Sequence, residues 1–271
     1  MSSEKATALV LRVVEFSETS SIVTLFTREF GKVRGLAKGA RRPKSSFESA
    51  LDLLSLCRIV FLRKSSDSLD LLTEAKLERR FRAAGRDLSS LYAAYYVAEL
   101  LAELTDDGDP HPELFDAACQ ALAALGALGS PVATVLLRFE LNALRLLGHM
   151  PQLDACVECG REVNNEQRVA FGQLAGGVLC ARCRPGKRQV VSMSAAALRL
   201  MKQLATPGSE GQRAGDRTNE IQITENPPAT DPQAPSDRRT VGELRGLVNH
   251  YMCNLLGHKP RMHAYLTHLA D

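Results

Sequence analysis

The chain has 271 residues, of which 45% are hydrophobic and 24% charged, so it can form two or three globular domains and is not a wholly disordered protein. The formal net charge of +3 says little about partners, but the charges are unevenly distributed. Residues 1–80 hold 15 Lys and Arg against 10 Asp and Glu, residues 81–155 hold 4 against 10, and residues 156–205 hold 8 against 3. The two basic blocks are therefore candidate anion-binding surfaces, and the acidic block between them is not.

The first residues, MSSEKATALVLR, lack the basic and apolar regions of a secretory signal peptide. No apolar run approaches the about 20 residues that cross a bilayer. We therefore expect a cytoplasmic protein whose cysteines are reduced. Four of the seven cysteines form two Cys-x-x-Cys pairs, and Cys57, Cys119 and Cys253 lie in apolar contexts typical of core residues.

The first 80 residues are predicted to fold as a small β-barrel. Five segments rich in apolar and β-branched residues cover residues 6–16, 20–30, 32–40, 54–64 and 68–76. Pro43 argues against a central strand across the basic turn that follows the third segment. Five short strands within about 70 residues are typical of a small barrel, and the OB-fold is the commonest such design.

The apolar spacing becomes helical beyond the barrel. Helices are predicted over residues 87–104, 113–125, 132–147 and 194–205. We expect Ser130 to cap the third helix with Pro131 at its first position, and Ser192 or Ser194 to cap the fourth.

The last part of the chain combines a polar segment with further helices. Residues 206–239 contain five of the 12 prolines and almost no large apolar residue, which predicts a flexible linker or loop. Thr240 and Glu243 have the spacing of a capping box, so the next helix should start at residue 240. A last short helix is expected over residues 261–270.

Residues 154–189 carry the two Cys-x-x-Cys pairs, Cys156 with Cys159 and Cys180 with Cys183, separated by 20 residues. Two tight turns that each present two thiolates complete a tetrahedron around Zn²⁺. Because four thiolates leave no open coordination position, one structural Zn²⁺ is predicted rather than a catalytic one.

The predicted fold class is therefore α+β and multidomain. It comprises an N-terminal five-stranded OB-fold β-barrel over residues 1–80, an α-helical bundle domain over residues 81–153 and 190–271, and a four-cysteine zinc-knuckle insertion (a zinc finger) over residues 154–189.

The barrel contains a dense basic segment over residues 28–44. Its seven cations are the candidate DNA-binding residues Arg28, Lys32, Arg34, Lys38, Arg41, Arg42 and Lys44, and Glu29 is the only acid among them. Alternate positions on a strand face one way, so Lys32 and Arg34 should share a face, which Arg28 can join across a turn. Such a surface is expected to bind phosphates with little sequence preference.

Barrels of this type bind single strands by pairing a basic groove with aromatic stacking surfaces. The barrel offers Phe16, Phe26, Phe30, Phe47 and Phe61, some of which must belong to the core. No Gly-x4-Gly-Lys-Ser/Thr phosphate loop and no Gly-x-Ser-x-Gly nucleophile motif occur, so we expect a protein that is not an enzyme.

Several motifs resemble, in the same order, those of the bacterial recombination and repair family RecO. The barrel carries EFSETSSIVTLFTREFGKV and AKGARRPKS, the helical part LYAAYYVAELLAEL and RFELNALRLLGHMPQLDACVECGR, and the second knuckle GGVLCARCRPG. LRGLVNHYMCNLLGHKP is similar to the closing helices of that family. The resemblance covers some 230 residues, although residues 206–239 look longer than the usual join.

The resemblance implies a DNA repair protein that binds single- and double-stranded DNA and anneals complementary strands. With RecR it would help to load RecA onto single strands coated by single-strand-binding protein, whose C-terminal tail it would contact. No catalytic residue carries over, and the matching DNA-contact candidates are the seven cations already named. The expected location is the bacterial cytoplasm, at the nucleoid when the protein acts.

Two other interpretations share parts of this pattern. An RNA- or transcription-associated zinc-ribbon protein would also combine a basic barrel with four cysteines, and a preference for RNA over single-stranded DNA would favour it. A thiol redox enzyme would use a free Cys-x-x-Cys pair, which tightly bound zinc would exclude.

Overall fold

The computed structural model describes residues 2–43, 45–47, 50–64, 69–163, 167–206 and 237–266, so most of the predicted linker lies outside the described residues. The chain divides into two compact units, Met1–Ser130 with Pro260–Met262 and Pro131–Lys259 with His263–Asp271. This boundary falls inside the predicted helical domain, and the three-domain organisation stays a prediction. Within the described ranges, no helix combines the length and the apolar character that a membrane crossing requires.

Five strands in the first unit close into a barrel in the order β1-β2-β3-β5-β4. They are β1 (Ser2–Glu15), β2 (Ser21–Thr27), β3 (Gly31–Ala37), β4 (Leu56–Arg63) and β5 (Asp70–Arg79). The first half of β1 pairs antiparallel with β4 and its second half with β2, and a short parallel pairing joins β3 to β5. The five predicted strands and the α+β class are confirmed.

The barrel interior is filled by apolar side chains of the strands and of the segment between β3 and β4. In β3, Val33 and Ala37 point inward, whereas Lys32 and Arg34 point outward. The buried set is Ala6, Ala8, Val10, Val23, Leu25, Val33, Ala37, Phe47, Ala50, Cys57, Ile59, Phe61, Leu72 and Ala75. This period of two fixes the register, because a shift by one residue would send the cations into the core.

A 3-10 helix over Ala84–Arg86 and two α-helices follow the barrel in the first unit, α1 (Leu88–Leu104) and α2 (Pro112–Leu125). The carboxylate of Asp87 caps α1 by accepting hydrogen bonds from the backbone N–H groups of Ser89 and Ser90. The ring of Phe115 on α2 lies 6.1 Å from that of Phe26 on β2, centroid to centroid. Helix α2 therefore packs on the barrel that precedes it in the chain.

The described part of the second unit contains three α-helices and a small sheet. Its elements are α3 (Val132–Leu146), β6 (Arg168–Gly172), β7 (Gly177–Leu179), β8 (Val190–Ser194), α4 (Ala195–Ala205) and α5 (Arg238–Leu256). The sheet is antiparallel in the order β7-β6-β8. The sequence patterning did not predict it, because strands of three to five residues are too short to establish a period.

Two predicted helix starts are wrong. Pro131, rather than Ser130, precedes the first turn of α3, and the Ser130 hydroxyl finds no hydrogen-bond partner among the described residues. Helix α5 begins at Arg238 and is capped by Asp237, so Thr240 and Glu243 form no capping box.

The start of α4 agrees with its prediction, and the last predicted helix is only partly described. Ser194 caps α4, as one of the two predicted alternatives, through its hydroxyl oxygen and the N–H of Ala197. Near the end of the chain, a 3-10 helix covers Arg261–Tyr265, and residues 267–270 of the predicted last helix lie outside the described residues.

An ion pair inside the second unit joins α3 to α5. Glu140 on α3 and Arg245 on α5 are both fully buried, and their charged groups are in direct contact. Neither charge could be buried alone without a penalty of several kcal/mol, so each requires the other. The pair therefore fixes the register of α5 against α3.

Glu243 links α5 to the sheet of the second unit. Its carboxylate accepts hydrogen bonds from the N–H of Ser194 at 2.9 Å, the hydroxyl of Ser194 at 2.6 Å and Nη2 of Arg168 at 3.1 Å. Burial opposes the charge on Glu243, but these hydrogen bonds outweigh it, so the pKa of Glu243 lies below its ordinary value. The carboxylate is therefore expected to stabilise the folded state only while it is ionised.

Replacing Glu243→Gln should lower the free energy of unfolding at neutral pH by about 1–2 kcal/mol, because the donors around it lose a charged acceptor. The stabilisation exists above the unfolded pKa of about 4.3 and is lost as the pH falls through the depressed folded value. Urea unfolding followed by circular dichroism from pH 7 to pH 3 should show the two proteins converging in acid. Glu162→Gln, which alters an exposed carboxylate of the same unit, serves as the control. A difference that is constant across the pH range would contradict the assignment.

Candidate nucleic-acid interface and metal centre

Strand β3 and the turn after it carry most of the basic segment. Lys32 and Arg34 share the outward face of β3, as the alternation predicts, and Lys38 and Arg42 are exposed in the turn that follows. Lys44, the last of the seven predicted contact residues, lies outside the described residues. The described cations fall into two groups that differ in what they contact.

The first group is bound by the helices of the same unit. The guanidinium of Arg28 donates two hydrogen bonds to the carboxylate of Asp116 on α2, at 2.9 and 3.0 Å, and this interaction raises the pKa of Arg28. Nζ of Lys32 donates to the carbonyl oxygens of Ala102 and Thr105 at the end of α1, at 2.9 and 2.5 Å, and its side chain is only 15% exposed. Both cations hold the helices on the barrel, so the seven predicted residues do not present a single outward face.

The second group faces solvent. The side chain of Arg34 is 58% exposed, and Lys38 and Arg42 are exposed as well. Arg41 is exposed too, but its guanidinium already pairs with Glu15 at 2.9 Å near the end of β1. Charged groups in these positions can bind phosphates without breaking the contacts that hold the unit together.

Sequence reasoning missed one cation of this surface. Arg12 on β1 lines an open cleft of about 530 Å³ together with Thr24, Lys32, Arg34, Ala102, Asp106 and Asp107. A register shift between Val10 and Arg12 interrupts the pairing of β1 with β2 just before this side chain. Because a bulge interrupts the alternation, the sequence pattern alone could not have placed Arg12 on the outside.

The aromatic candidates divide sharply by exposure. Phe26, Phe47 and Phe61 belong to the buried core, and Phe30 packs edge-on against Phe61 with ring centroids 5.6 Å apart. Phe16 is 62% exposed in the turn between β1 and β2. Of the five predicted candidates, Phe16 therefore has a ring face available to a base.

Phe16 and the basic turn are joined by a common set of contacts. The backbone N–H of Arg41 donates to the carbonyl of Thr19 at 3.1 Å, and its side chain contacts Glu15 and the carbonyl of Ser17. Arg41 thus connects the turn that carries Lys38 to the hairpin that carries Phe16. These contacts fix the turn and the hairpin relative to each other.

The four cysteines of the two Cys-x-x-Cys pairs converge in the second unit. The Sγ atoms of Cys156, Cys159, Cys180 and Cys183 all lie within 4.8 Å of one another, and those of Cys159 and Cys180 are 3.8 Å apart. A tetrahedron with Zn–S bonds of about 2.3 Å has edges of about 3.8 Å, so the cluster has the dimensions of a thiolate metal site. Within the described ranges it is the one group of three or more His, Cys, Asp and Glu side chains that could share an ion.

Tight turns place these sulfurs. The N–H of Gly160 donates to the carbonyl of Cys156 at 2.8 Å, with Gly160 at a φ of +69°, and the N–H of Cys183 donates to the carbonyl of Cys180 at 3.1 Å. Gly176 lies in the turn between β6 and β7 and donates its N–H to the carbonyl of Gly172 at 2.9 Å. The sheet therefore carries the second Cys-x-x-Cys turn directly after β7.

The surroundings of the four-cysteine cluster change the pKa values of some of its thiols. Burial of Cys156 opposes ionisation, but backbone N–H donors from Cys180, Glu158 and Cys159 outweigh it and lower the pKa of Cys156 to about 6. Hydrogen bonding with the neighbouring thiols of Cys180 and Cys159 raises the pKa of Cys183 to about 12. Backbone N–H donation, from Cys183 first, also lowers the pKa of Cys180 below its ordinary value. A bound metal ion would favour deprotonation of all four thiols.

Comparison with known proteins identifies the family. A family model described as recombination protein O N terminal matches residues 1–81, and one described as recombination protein O C terminal matches residues 85–214. The protein is 44% identical to the DNA repair protein RecO of Rhodopirellula baltica, over 97% of this chain and 99% of that one. It is also 40% identical to the protein of the same name from Anaeromyxobacter dehalogenans, over 77% of this chain and 81% of that one, and 34% identical to that of Moorella thermoacetica, over 74% and 73%.

These matches span both compact units and confirm the resemblance found in the sequence motifs. The chain belongs to the RecO family of DNA repair proteins.

Proposed function

We propose that this protein binds single- and double-stranded DNA through the exposed cations of β3 and the following turn, and that it anneals complementary strands during recombinational repair. The observation that carries the proposal is the exposure of Arg34, Lys38 and Arg42 beside the acidic helices that bind Arg28 and Lys32. Membership of a DNA repair family supports DNA as the polyanion.

The mechanism is electrostatic. Exposed guanidinium and ammonium groups neutralise phosphates, and the counterions that are released drive association. Contacts to the backbone carry no sequence information, so the Watson–Crick edges of a bound strand stay free to pair with a second strand. Reduced repulsion between two strands on one protein then favours the duplex.

The barrel is proposed to be an OB-fold, and Phe16 its stacking residue. The closed strand order β1-β2-β3-β5-β4 supports the first part, since barrels of this class bind nucleic acids through their strands and the loops beside them. The exposed ring of Phe16, next to the turn fixed by Arg41, supports the second. A base stacked there would add affinity for single strands over duplexes.

The cluster of four cysteines is proposed to hold one structural Zn²⁺ in a zinc knuckle. Four thiolates suit a soft divalent ion and leave no coordination position for substrate, so the ion would stabilise the second unit without taking part in chemistry. Cys156, Cys159, Cys180 and Cys183 would be its ligands.

The remaining steps rest on family membership. RecR is proposed as the partner with which this protein helps to load RecA onto single strands coated by single-strand-binding protein. The tail of that protein is proposed as a further contact, and the bacterial cytoplasm, at the nucleoid, as the location. The protein is proposed to act without catalysis.

Replacing Arg34, Lys38, Arg41 and Arg42 together with Ala should abolish annealing. Removal of each phosphate-binding cation reduces the slope of log K against log salt by about 0.7 for single strands, so the slope should flatten by up to about 3. The measurement is fluorescence-monitored annealing of complementary oligonucleotides, with and without single-strand-binding protein, together with anisotropy titrations across a salt series.

A matched control removes the same charge from the barrel elsewhere. Lys5, Arg58, Lys64 and Lys76 are exposed cations on or beside β1, β4 and β5, and their replacement with Ala should leave most annealing in place. Arg28→Gln should lower stability more than DNA affinity, because Arg28 is held by Asp116. Equal loss in the two quadruple variants would refute the assigned interface.

Phe16→Ala should weaken binding to an oligothymidine at least about fivefold, because stacking contributes about 1–3 kcal/mol per base. Binding to a duplex of the same length should change little, since its bases are already stacked on one another. Phe16→Trp should retain the single-strand affinity, and Leu53→Ala, at another exposed apolar position of the unit, should have no effect. The same loss with both DNA forms would argue against stacking.

Purified protein should contain one Zn²⁺ per chain by elemental analysis and native mass spectrometry. Cys180→Ser should lose the metal and lower the unfolding temperature, because metal binding is coupled to folding. Cys253→Ser, outside the cluster, should keep it. A Cys180→Ser protein with undiminished zinc would show that the ion is bound elsewhere.

A further inference from the structure

The loop that joins α1 to α2 is fixed to β3 through the backbone. The N–H of Gly108 donates to the carbonyl of Lys32 at 2.9 Å, and Asp107 forms an isolated bridge with the same residue. Gly31 permits this approach, because a Cβ atom there would lie 1.9 Å from the carbonyl oxygen of Asp109. The position of Asp107 relative to β3 is therefore set by main-chain contacts rather than by a flexible loop.

The carboxylate of Asp107 lies beside two cations without a close hydrogen bond to either. Its oxygens are 3.6 Å from Nζ of Lys32 and 3.9 Å from Nη1 of Arg34, and its side chain is 55% exposed. Lys32 already donates to two carbonyl oxygens of the α1 end. The donors of Arg34 therefore remain available to another acceptor, next to a fixed negative charge.

The cleft in which these groups meet has room for a phosphate. It measures about 530 Å³, is open to solvent, and is lined from the barrel by Arg12, Thr24 and Arg34, whereas Asp106 and Asp107 line its other side. Two guanidinium groups and a hydroxyl can donate to the oxygens of one phosphodiester. A phosphate bound by them would lie close to the Asp107 carboxylate.

We propose that this cleft binds one phosphate of a DNA strand through Arg12 and Arg34, and that Asp107 is an internal competitor that lowers the affinity for that phosphate. The inference rests on the proposed DNA-binding function and adds a residue that sets its strength. A strand held less tightly is released faster, and an annealing protein must release the duplex that it forms.

The test is binding of a fluorescent oligothymidine to Asp107→Asn, which removes the charge and keeps the shape. Two unit charges about 4 Å apart in water interact by about 1 kcal/mol, so the affinity should rise about fivefold at low salt and the gain should shrink as salt screens it. The increase should appear mainly as slower dissociation. If Asp107→Asn proves unstable, Asp107→Ser is the alternative. It removes the same charge with a smaller side chain and should give the same gain in affinity.

Asp109→Asn is the matched control. It lies in the same loop and changes the net charge equally, but its carboxylate contacts Nε2 of His111 at 3.0 Å and does not line the cleft. Its effect should be clearly smaller than that of Asp107→Asn. Combining Asp107→Asn with Arg12→Gln and Arg34→Gln should cancel the gain, because neither guanidinium would remain to bind the phosphate.

The outcomes separate this inference from the function on which it rests. A wild-type protein that binds no DNA would refute the proposed function. A wild-type protein that binds DNA, with equal gains for Asp107→Asn and Asp109→Asn, would leave the function in place and overturn the role of Asp107. A gain that persists without Arg12 and Arg34 would overturn the cleft as the phosphate site.

Discussion

The helices of the first unit bind some of the cations on the barrel. This limits the number of cations that remain available for the proposed DNA binding. Asp116 binds Arg28, and the carbonyl groups at the end of α1 bind Lys32, so part of the basic segment stabilises the unit instead of a ligand. Acidic and basic blocks that look like separate surfaces in the sequence are in fact neighbours in space. The cations that stay exposed form the proposed interface.

An interface built this way is compact and electrostatic. A few guanidinium and ammonium groups, with one exposed aromatic ring at Phe16, can hold a strand weakly and without reading its sequence. Such binding suits the strand annealing proposed for this protein, which requires release of the duplex. The second unit differs, because the buried pair of Glu140 and Arg245 joins two of its helices and its four clustered cysteines could bind a metal ion.

The sequence predicts those features that depend on local patterns. Segments rich in apolar and β-branched residues identify the five strands, and the spacing of the Cys-x-x-Cys pairs identifies a cluster that could bind a metal ion. Features that depend on distant partners could not be predicted in this way. Glu243 has the local spacing of a capping box, yet Ser194 and Arg168 bind its carboxylate instead. In the sequence, Arg28, Lys32 and Arg34 are all basic residues of one segment. Only the contacts of Arg28 and Lys32 with residues 70 to 88 positions further along the chain distinguish these two from Arg34.

The double pairing of β1 has a consequence for how the chain folds. Ala6 of this strand pairs with Ile59 of β4, so the barrel cannot close until a segment more than fifty residues downstream has been synthesised. Contacts of such sequence separation slow folding, and until they form, β1 presents an open edge to other chains. During translation the nascent barrel would thus pass through an aggregation-prone interval that ends only when β4 and β5 have left the ribosome.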